Sequence, residues 1–329
     1  MRRPSTILLA LAPWMAVAAA SANDGIAERE AGGLVFRTTS EIDMLSEDLY
    51  VSRERIQVRY RFRNRTPRDA RVTVAFALPD HDLREDFYGD TAYPRDFRTT
   101  VDGQPIAMQV EHRAFWQGVE HTALLNRLGV PIMSVDGTLD PIVAALSALP
   151  AADQQRLIDI GLVEPFDLPQ EGRSLSPVWT VRESWYREQV FPVGREVVVE
   201  HSYRPGAGGT HSTGLAGAGR GDGDHNRRMI ERYCIDDAFL AAVDRIAARD
   251  GAAYLGETYV SYILTTGAGW ASPIGEFRLV VDKERPENLV SFCGEGVRCI
   301  SPTKFEMRRS NWRPDRDLHV LILHPRPRE

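Results

Sequence analysis

The 329-residue sequence predicts a mainly β fold, an antiparallel β-sandwich with a small inserted helical segment, on three observations. Ile56-Gln57-Val58-Arg59-Tyr60-Arg61-Phe62-Arg63 alternates apolar and charged residues without a break, the period-two pattern of a strand with one wet face. Short strand-like runs recur from Gly33 to Phe115 with turn residues between them, the spacing of a sandwich. Between 116 and 165 the apolar spacing becomes helical, and strand patterning then resumes.

Taken in order, residues 1–22 read as a signal peptide. Arg2 and Arg3 precede an apolar stretch from Ile7 to Ala20 that Pro13 interrupts, and Ala20-Ser21-Ala22 is a small-residue cleavage site. The stretch is shorter than the roughly 20 apolar residues of a membrane span, so the sequence predicts no membrane span after signal cleavage. Residues 23–205 are expected to form an N-terminal β-sandwich. Val72 to Leu78 follows the 56–63 strand after a turn containing Pro67. Phe97 to Val101 and Pro105 to Val110 flank Asp102-Gly103, a pair suited to a tight primed turn. Val119–Leu128, Pro141–Leu149 and Ala151–Leu162 are the inserted helices, with Pro150 placed to start the third. Val178 to Val181, Trp185-Tyr186 and Glu196 to Tyr203 return to strands. Residues 206–224 are rich in Gly, Ala, Ser and Thr and read as a Gly-rich flexible loop. Residues 225–329 are expected to hold a helix capped by Asp236 or Asp237 and ending at Asp250-Gly251, then a C-terminal β-rich part.

Composition narrows the function classes. Hydrophobic residues make up 43% and charged residues 26%, which excludes wholesale disorder and a membrane bundle. Lys283 and Lys304 are the only lysines, the arginines are scattered among 46 acidic residues, and the net charge is −6, so no nucleic-acid partner is expected. Neither lysine follows a glycine, which removes a phosphate-binding loop, and the Gly-rich stretch lacks a dinucleotide fingerprint. No cofactor is expected. Asp222-Gly223-Asp224-His225-Asn226 opens like a calcium loop but has Arg227 at the sixth position and Tyr233 at the twelfth, where glycine and glutamate belong. Asp80-His81-Asp82 has no second histidine at ligand spacing, so no metal is expected either. His211-Ser212 lacks the strand and glycine spacing of a nucleophile elbow. The aromatics Trp179, Trp185, Tyr186, Trp270 and Trp312 are expected in the core.

Blocks spread over nearly the whole mature chain resemble one family as a set. They include Ala31-Gly32-Gly33-Leu34-Val35-Phe36, Val58 to Asn64, Phe191-Pro192 with His201-Ser202-Tyr203-Arg204-Pro205, Tyr233-Cys234-Ile235-Asp236, Leu264 to Trp270, and Ser291-Phe292-Cys293-Gly294. The sequence resembles the bacterial domain of unknown function 4424 family. That resemblance implies an exported protein with an immunoglobulin-like β-sandwich part, and it carries no catalytic residues. Cys299 and the length of the 206–224 stretch depart from the pattern.

Three cysteines in an exported chain allow one intramolecular bond. Closing a loop of about 60 residues stabilises by roughly 4 kcal/mol against roughly 2 for six or seven residues, which favours a bond from Cys234 without separating Cys293 from Cys299. The resemblance separates them: Cys234 and Cys293 sit inside matching blocks, implying a Cys234–Cys293 disulfide with Cys299 free. The expected function is therefore a non-catalytic binding module of the cell envelope, periplasmic or secreted, whose partner is an envelope protein or a small ligand. One rival is an extracytoplasmic hydrolase with a scattered constellation drawing its base from His81, His112, His121 or His201. Another is a structural module of an envelope assembly.

Overall fold

The alternation at 56–63 separates inside from outside. Ile56, Val58, Tyr60 and Phe62 are buried while Gln57, Arg59, Arg61 and Arg63 face solvent. In the computed structural model, which describes residues 24–30, 33–86, 94–133, 138–168, 172–217, 223–250 and 255–325, this strand lies inside an eight-stranded sheet. Its order is Arg298–Cys299, Lys304–Trp312, Ile274–Asp282, Ile42–Val51, Ile56–Asn64, Glu196–Arg204, Arg95–Val101 and Gln104–Ile106. Strands from both sides of the 206–224 stretch share it. All pairs are antiparallel except one: Ile42–Val51 runs parallel to Ile274–Asp282, with Ser46 opposite Glu276 and Val51 opposite Val281. Gly275 sits at that seam, where a Cβ would lie 2.5 Å from the Leu45 carbonyl oxygen.

A seven-stranded antiparallel sheet places Thr180–Phe191 between Gln109–Trp116 and Ala70–Ala77, followed by Asp24–Glu30 and Gly33–Arg37. A four-stranded antiparallel sheet runs Ala207–Thr210, Leu255–Tyr262, Leu318–Pro325, Leu289–Phe292. The three sheets share one core, to which Val74 and Phe76, Tyr60 and Phe62, and Tyr262 and Val320 all contribute. The hydroxyls of Tyr60 and Tyr262, 2.7 Å apart, tie two of the sheets across it. A second cluster packs the helices Thr122–Leu128, Asp140–Ser147 and Ala151–Ile160 against Trp179, Val181 and Ala114. Trp179 is fully buried, and its Nε1–H donates to the Ile132 carbonyl at 3.0 Å.

The fold is mainly β, with the helical insertion where the sequence puts it. Four local readings need correction. Val119-Glu120 is strand, because Gln117 and Gly118 are both left-handed and fold it back on Trp116. Pro105–Val110 is not one strand: Gln104–Ile106 completes the Asp102-Gly103 hairpin, and Gln109 begins a strand of the other sheet. Ala207–Thr210, within the stretch read as loop, pairs with Leu255–Tyr262, and a Cβ on Gly209 would meet the Glu257 carbonyl oxygen at 2.5 Å. Asp224–Tyr233 forms a helix that the sequence reading did not anticipate. The expected helix is present as Asp237–Asp250, with Asp236 Oδ1 accepting the Phe239 N–H at 2.7 Å as an N-cap. Residues 1–22, read from the sequence as a signal peptide, lie outside the described residues, as do 218–222 of the Gly-rich stretch. Among the described residues, no helix is long and apolar enough to cross a membrane.

Candidate functional site

Strand Lys304–Trp312 alternates Phe305, Met307 and Arg309 on one side with Glu306 and Arg308 on the other. The second side is polar, with Glu306 accepting from Arg278, Arg308 and Arg298. The first side faces the end of strand Leu289–Phe292 across a groove of about 710 Å³, whose walls include Phe292, Phe305, Met307 and Trp312. Arg309 and Arg313 line it too, with the Arg309 guanidinium 3.0 Å from Glu295. Asn311 is left-handed, and Trp312 beyond it packs on Phe277 with ring centroids 4.5 Å apart.

The disulfide forms part of this wall. Cys234, left-handed at the C-cap of helix Asp224–Tyr233, is bonded to Cys293 with Cα atoms 5.0 Å apart, and both line the groove. Ser291 Oγ donates to the Tyr233 carbonyl at 2.9 Å, so the helix end is held to the strand by a hydrogen bond as well. Cys299 is free and exposed.

The four histidines considered as bases fall in three places. His201 is buried with Asp24, Arg187 and Thr99 between the two large sheets. Its Nε2 lies 3.0 Å from Asp24 Oδ1, its Nδ1 2.8 Å from Thr99 Oγ1, and Arg187 Nη2 3.2 Å from Asp24 Oδ2. Burial depresses the His201 pKa, so the neutral ring donates Nε2–H to Asp24 and accepts the Thr99 hydroxyl proton at Nδ1. Burial opposes ionisation of Asp24 as well, but Arg187 and His201 override it and hold the carboxyl below its usual range. The connectivity is that of a nucleophile triad, yet Thr99 is only 4% exposed, and the array works as an internal clamp. Trp270 Nε1–H donates to the Asp24 carbonyl at 2.9 Å and closes it from the third side.

His81 and His112 converge on a residue the sequence reading passed over. Strand Thr180–Phe191 pairs Glu183 with His112 and Val181 with His81. His112 Nε2 lies 2.7 Å from Glu183 Oε2, and Trp185 Nε1–H donates to Glu183 Oε1. Burial pushes the Glu183 carboxyl up to about 7, against the Trp185 hydrogen bond and the nearby His81, and burial pushes His112 down. Both shifts favour the uncharged forms, so the contact is a hydrogen bond rather than an ion pair. His121 stands apart, at the start of helix Thr122–Leu128. Among the described residues, no three His, Cys, Asp or Glu side chains are grouped to hold a metal ion.

Trp179 and Trp270 are core residues as expected, whereas Trp312 borders the groove. The blocks at 233–236, 264–270 and 291–294 contribute Cys234, Leu264 and Cys293 to its walls. Residues 22–321 match the family described as Domain of unknown function (DUF4424). The chain belongs to this family. The match covers the whole groove lining, so the DUF4424 unit includes the disulfide and the Glu183 pair alike. No curated protein matches the chain. A solved structure from Legionella pneumophila subsp. pneumophila str. Philadelphia 1, named as a candidate nutrient binding protein, is similar over 92% of this chain and 70% of its own, with 13% identity and a TM-score of 0.43. That likeness is too distant to transfer a ligand.

Proposed function

We propose that the protein is an exported, non-catalytic binding module of the cell envelope, built on an immunoglobulin-like sandwich, with its ligand seated in the groove beside the disulfide. The observation that carries this reading is the groove itself. Its volume of about 710 Å³ is that of a small-molecule site, and it combines an aromatic and thioether wall with a few charged groups. The Cys234–Cys293 bond supports an oxidising compartment, periplasmic or secreted. A ligand with an apolar or aromatic body and polar ends fits the lining: Phe292, Phe305 and Trp312 take the body, and Arg309 and Arg313 lie within the polar part.

A thermal-shift screen of the purified mature protein against amino acids, short peptides, sugars and aromatic acids tests the reading. One class is expected to raise Tm, and Trp312→Ala is expected to weaken that ligand by about ten- to a hundredfold, the effect of removing one buried ring from the contact. A ligand whose affinity survives Trp312→Ala and Phe305→Ala would place binding elsewhere. The hydrolase reading is favoured only by the Glu183–His112 pair. Turnover of an ester, peptide or glycan that is lost in His112→Ala and kept in Trp312→Ala would establish it against the binding reading.

A further inference from the structure

A separate, smaller cavity of about 210 Å³ lies where the three sheets meet. His81 of the seven-stranded sheet, Tyr203 at the end of strand Glu196–Arg204, Tyr259 and Ser261 of strand Leu255–Tyr262, and Arg232 in the last turn of helix Asp224–Tyr233 all line it.

The hydrogen-bond inventory of its walls is unbalanced. Tyr203 is 3% exposed, packed between Phe76 and Phe97 with ring centroids at 5.8 and 5.4 Å, and its hydroxyl has no partner. A buried hydroxyl left unpaired is costly and calls for a partner. Burial raises its pKa, so it stays protonated and is a donor. Arg232 has no carboxylate partner among the described residues. Its guanidinium lies over the Tyr233 ring, 5.8 Å from the centroid, and 3.4 Å from His319 Nδ1. His319 is neutral at physiological pH, because burial and the Arg232 charge lower its pKa to about 4.

The acceptors and hydroxyls nearby are already engaged. Asp80 lines the cavity, but Arg182 holds both its oxygens at 3.0 Å. Tyr259 donates its hydroxyl proton to Glu257, and Ser261 Oγ lies 2.9 Å from His319 Nδ1. Of the lining groups, the buried Tyr203 hydroxyl has no partner and the Arg232 guanidinium has no carboxylate among the described residues, with His81 and tyrosine rings beside them.

We propose that this cavity binds a small carboxylate, whose oxygens are taken by the Arg232 guanidinium and the Tyr203 hydroxyl while its short apolar body rests against the rings of Tyr233 and Tyr259. A planar carboxylate matches a guanidinium fork plus one further donor. The additional oxygens of a phosphate would face rings and prolines. This site is distinct from the groove and does not rest on it.

Titrations of sodium propionate and phosphate into the mature protein at pH 7, at constant ionic strength against sodium chloride, read by Tm and by calorimetry, test the proposal. Propionate is expected to give a saturable rise in Tm beyond the chloride control. Tyr203→Phe removes only the unpaired oxygen, so it is expected to leave the ligand-free Tm unchanged or higher while weakening the carboxylate at least tenfold. Arg232→Gln, at an exposed position, is expected to weaken it as much, and Trp312→Ala to leave it unchanged. The proposal is overturned by no saturable carboxylate effect, by a response to phosphate alone, by full affinity in Tyr203→Phe, or by loss in Trp312→Ala, which would move the carboxylate to the groove.

Discussion

Replacing Glu183 by Gln tests whether that side chain is a neutral acid in the folded protein. Gln is isosteric, its carbonyl accepts from Trp185 Nε1–H, and its amide donates to His112 Nε2, so the local packing is kept. In the native chain burial carries the carboxyl from an ordinary 4.5 to about 7, with the side chain 6% exposed. Below pH 4.5 the group is protonated in both folded and unfolded chains and contributes no pH dependence. Between 4.5 and 7 the unfolded chain releases the proton while the folded chain retains it, so native stability falls as pH rises. Above pH 7 the full loss is present, about 3 kcal/mol at 1.36 kcal/mol per pKa unit. Urea unfolding of wild type and Glu183→Gln, followed by tryptophan fluorescence at pH 5, 6, 7 and 8, gives the difference directly and cancels the titration of His81 and His112 to first order. The variant is expected to gain on the wild type by under about 1 kcal/mol at pH 5 and by about 3 kcal/mol at pH 8. A variant that instead loses ground as pH rises would mean that Glu183 and His112 form an ion pair. A difference that does not change with pH would mean that the carboxyl is solvated.

Two further perturbations address the frame around the sites. The double variant Cys234→Ser/Cys293→Ser opens a link across 59 residues and is expected to cost about 4 kcal/mol of stability in the chain-entropy model, with Cys299→Ser neutral, as read by denaturant midpoints. Asp24→Ala strands the Arg187 guanidinium, 3% exposed, inside the core and is expected to cost about 3–5 kcal/mol at pH 7. Because the Asp24 pKa is depressed, that contribution is present at neutral pH and disappears as pH falls through its folded value, so the two proteins should converge in acid.

Local pattern made much of the architecture legible. The alternation at 56–63, the Asp102-Gly103 turn and the Asp236 cap each encode their element within a few residues, and each is present. The helix Asp224–Tyr233 was not legible, because its buried side chains, Met229 and Tyr233, make a single four-residue step inside a run of charged residues. Strand partners were also hidden: nothing in Ile42–Val51 names Ile274–Asp282 as its neighbour. The groove was invisible for the same reason, since Phe292 and Trp312 meet only through the pairing of their sheets. Glu183 left a signal that went unused. Glu183, Arg187 and Gln189 fall on the same parity as Trp185 and Phe191, so a strand buried by its aromatics carries charged and polar side chains inward. Polar residues at core positions mark the places where a fold gives up packing for chemistry.

The parallel seam between Ile42–Val51 and Ile274–Asp282 also governs how the chain reaches this state. Tyr50 donates its hydroxyl proton to Asp282 across 232 residues of sequence, and Trp270 reaches back to Asp24 across 246. A nascent polypeptide emerges N-terminus first, so the strand at 42–51 is made long before its neighbour exists. Until then one margin of that strand stays unmated, able to recruit a strand of another molecule. Contacts of such sequence separation slow folding, because a large entropy of closure precedes their reward. The protein is thus committed to completing its synthesis before its largest sheet can close, and a product truncated before residue 274 would lack the strand that joins the two ends of the chain.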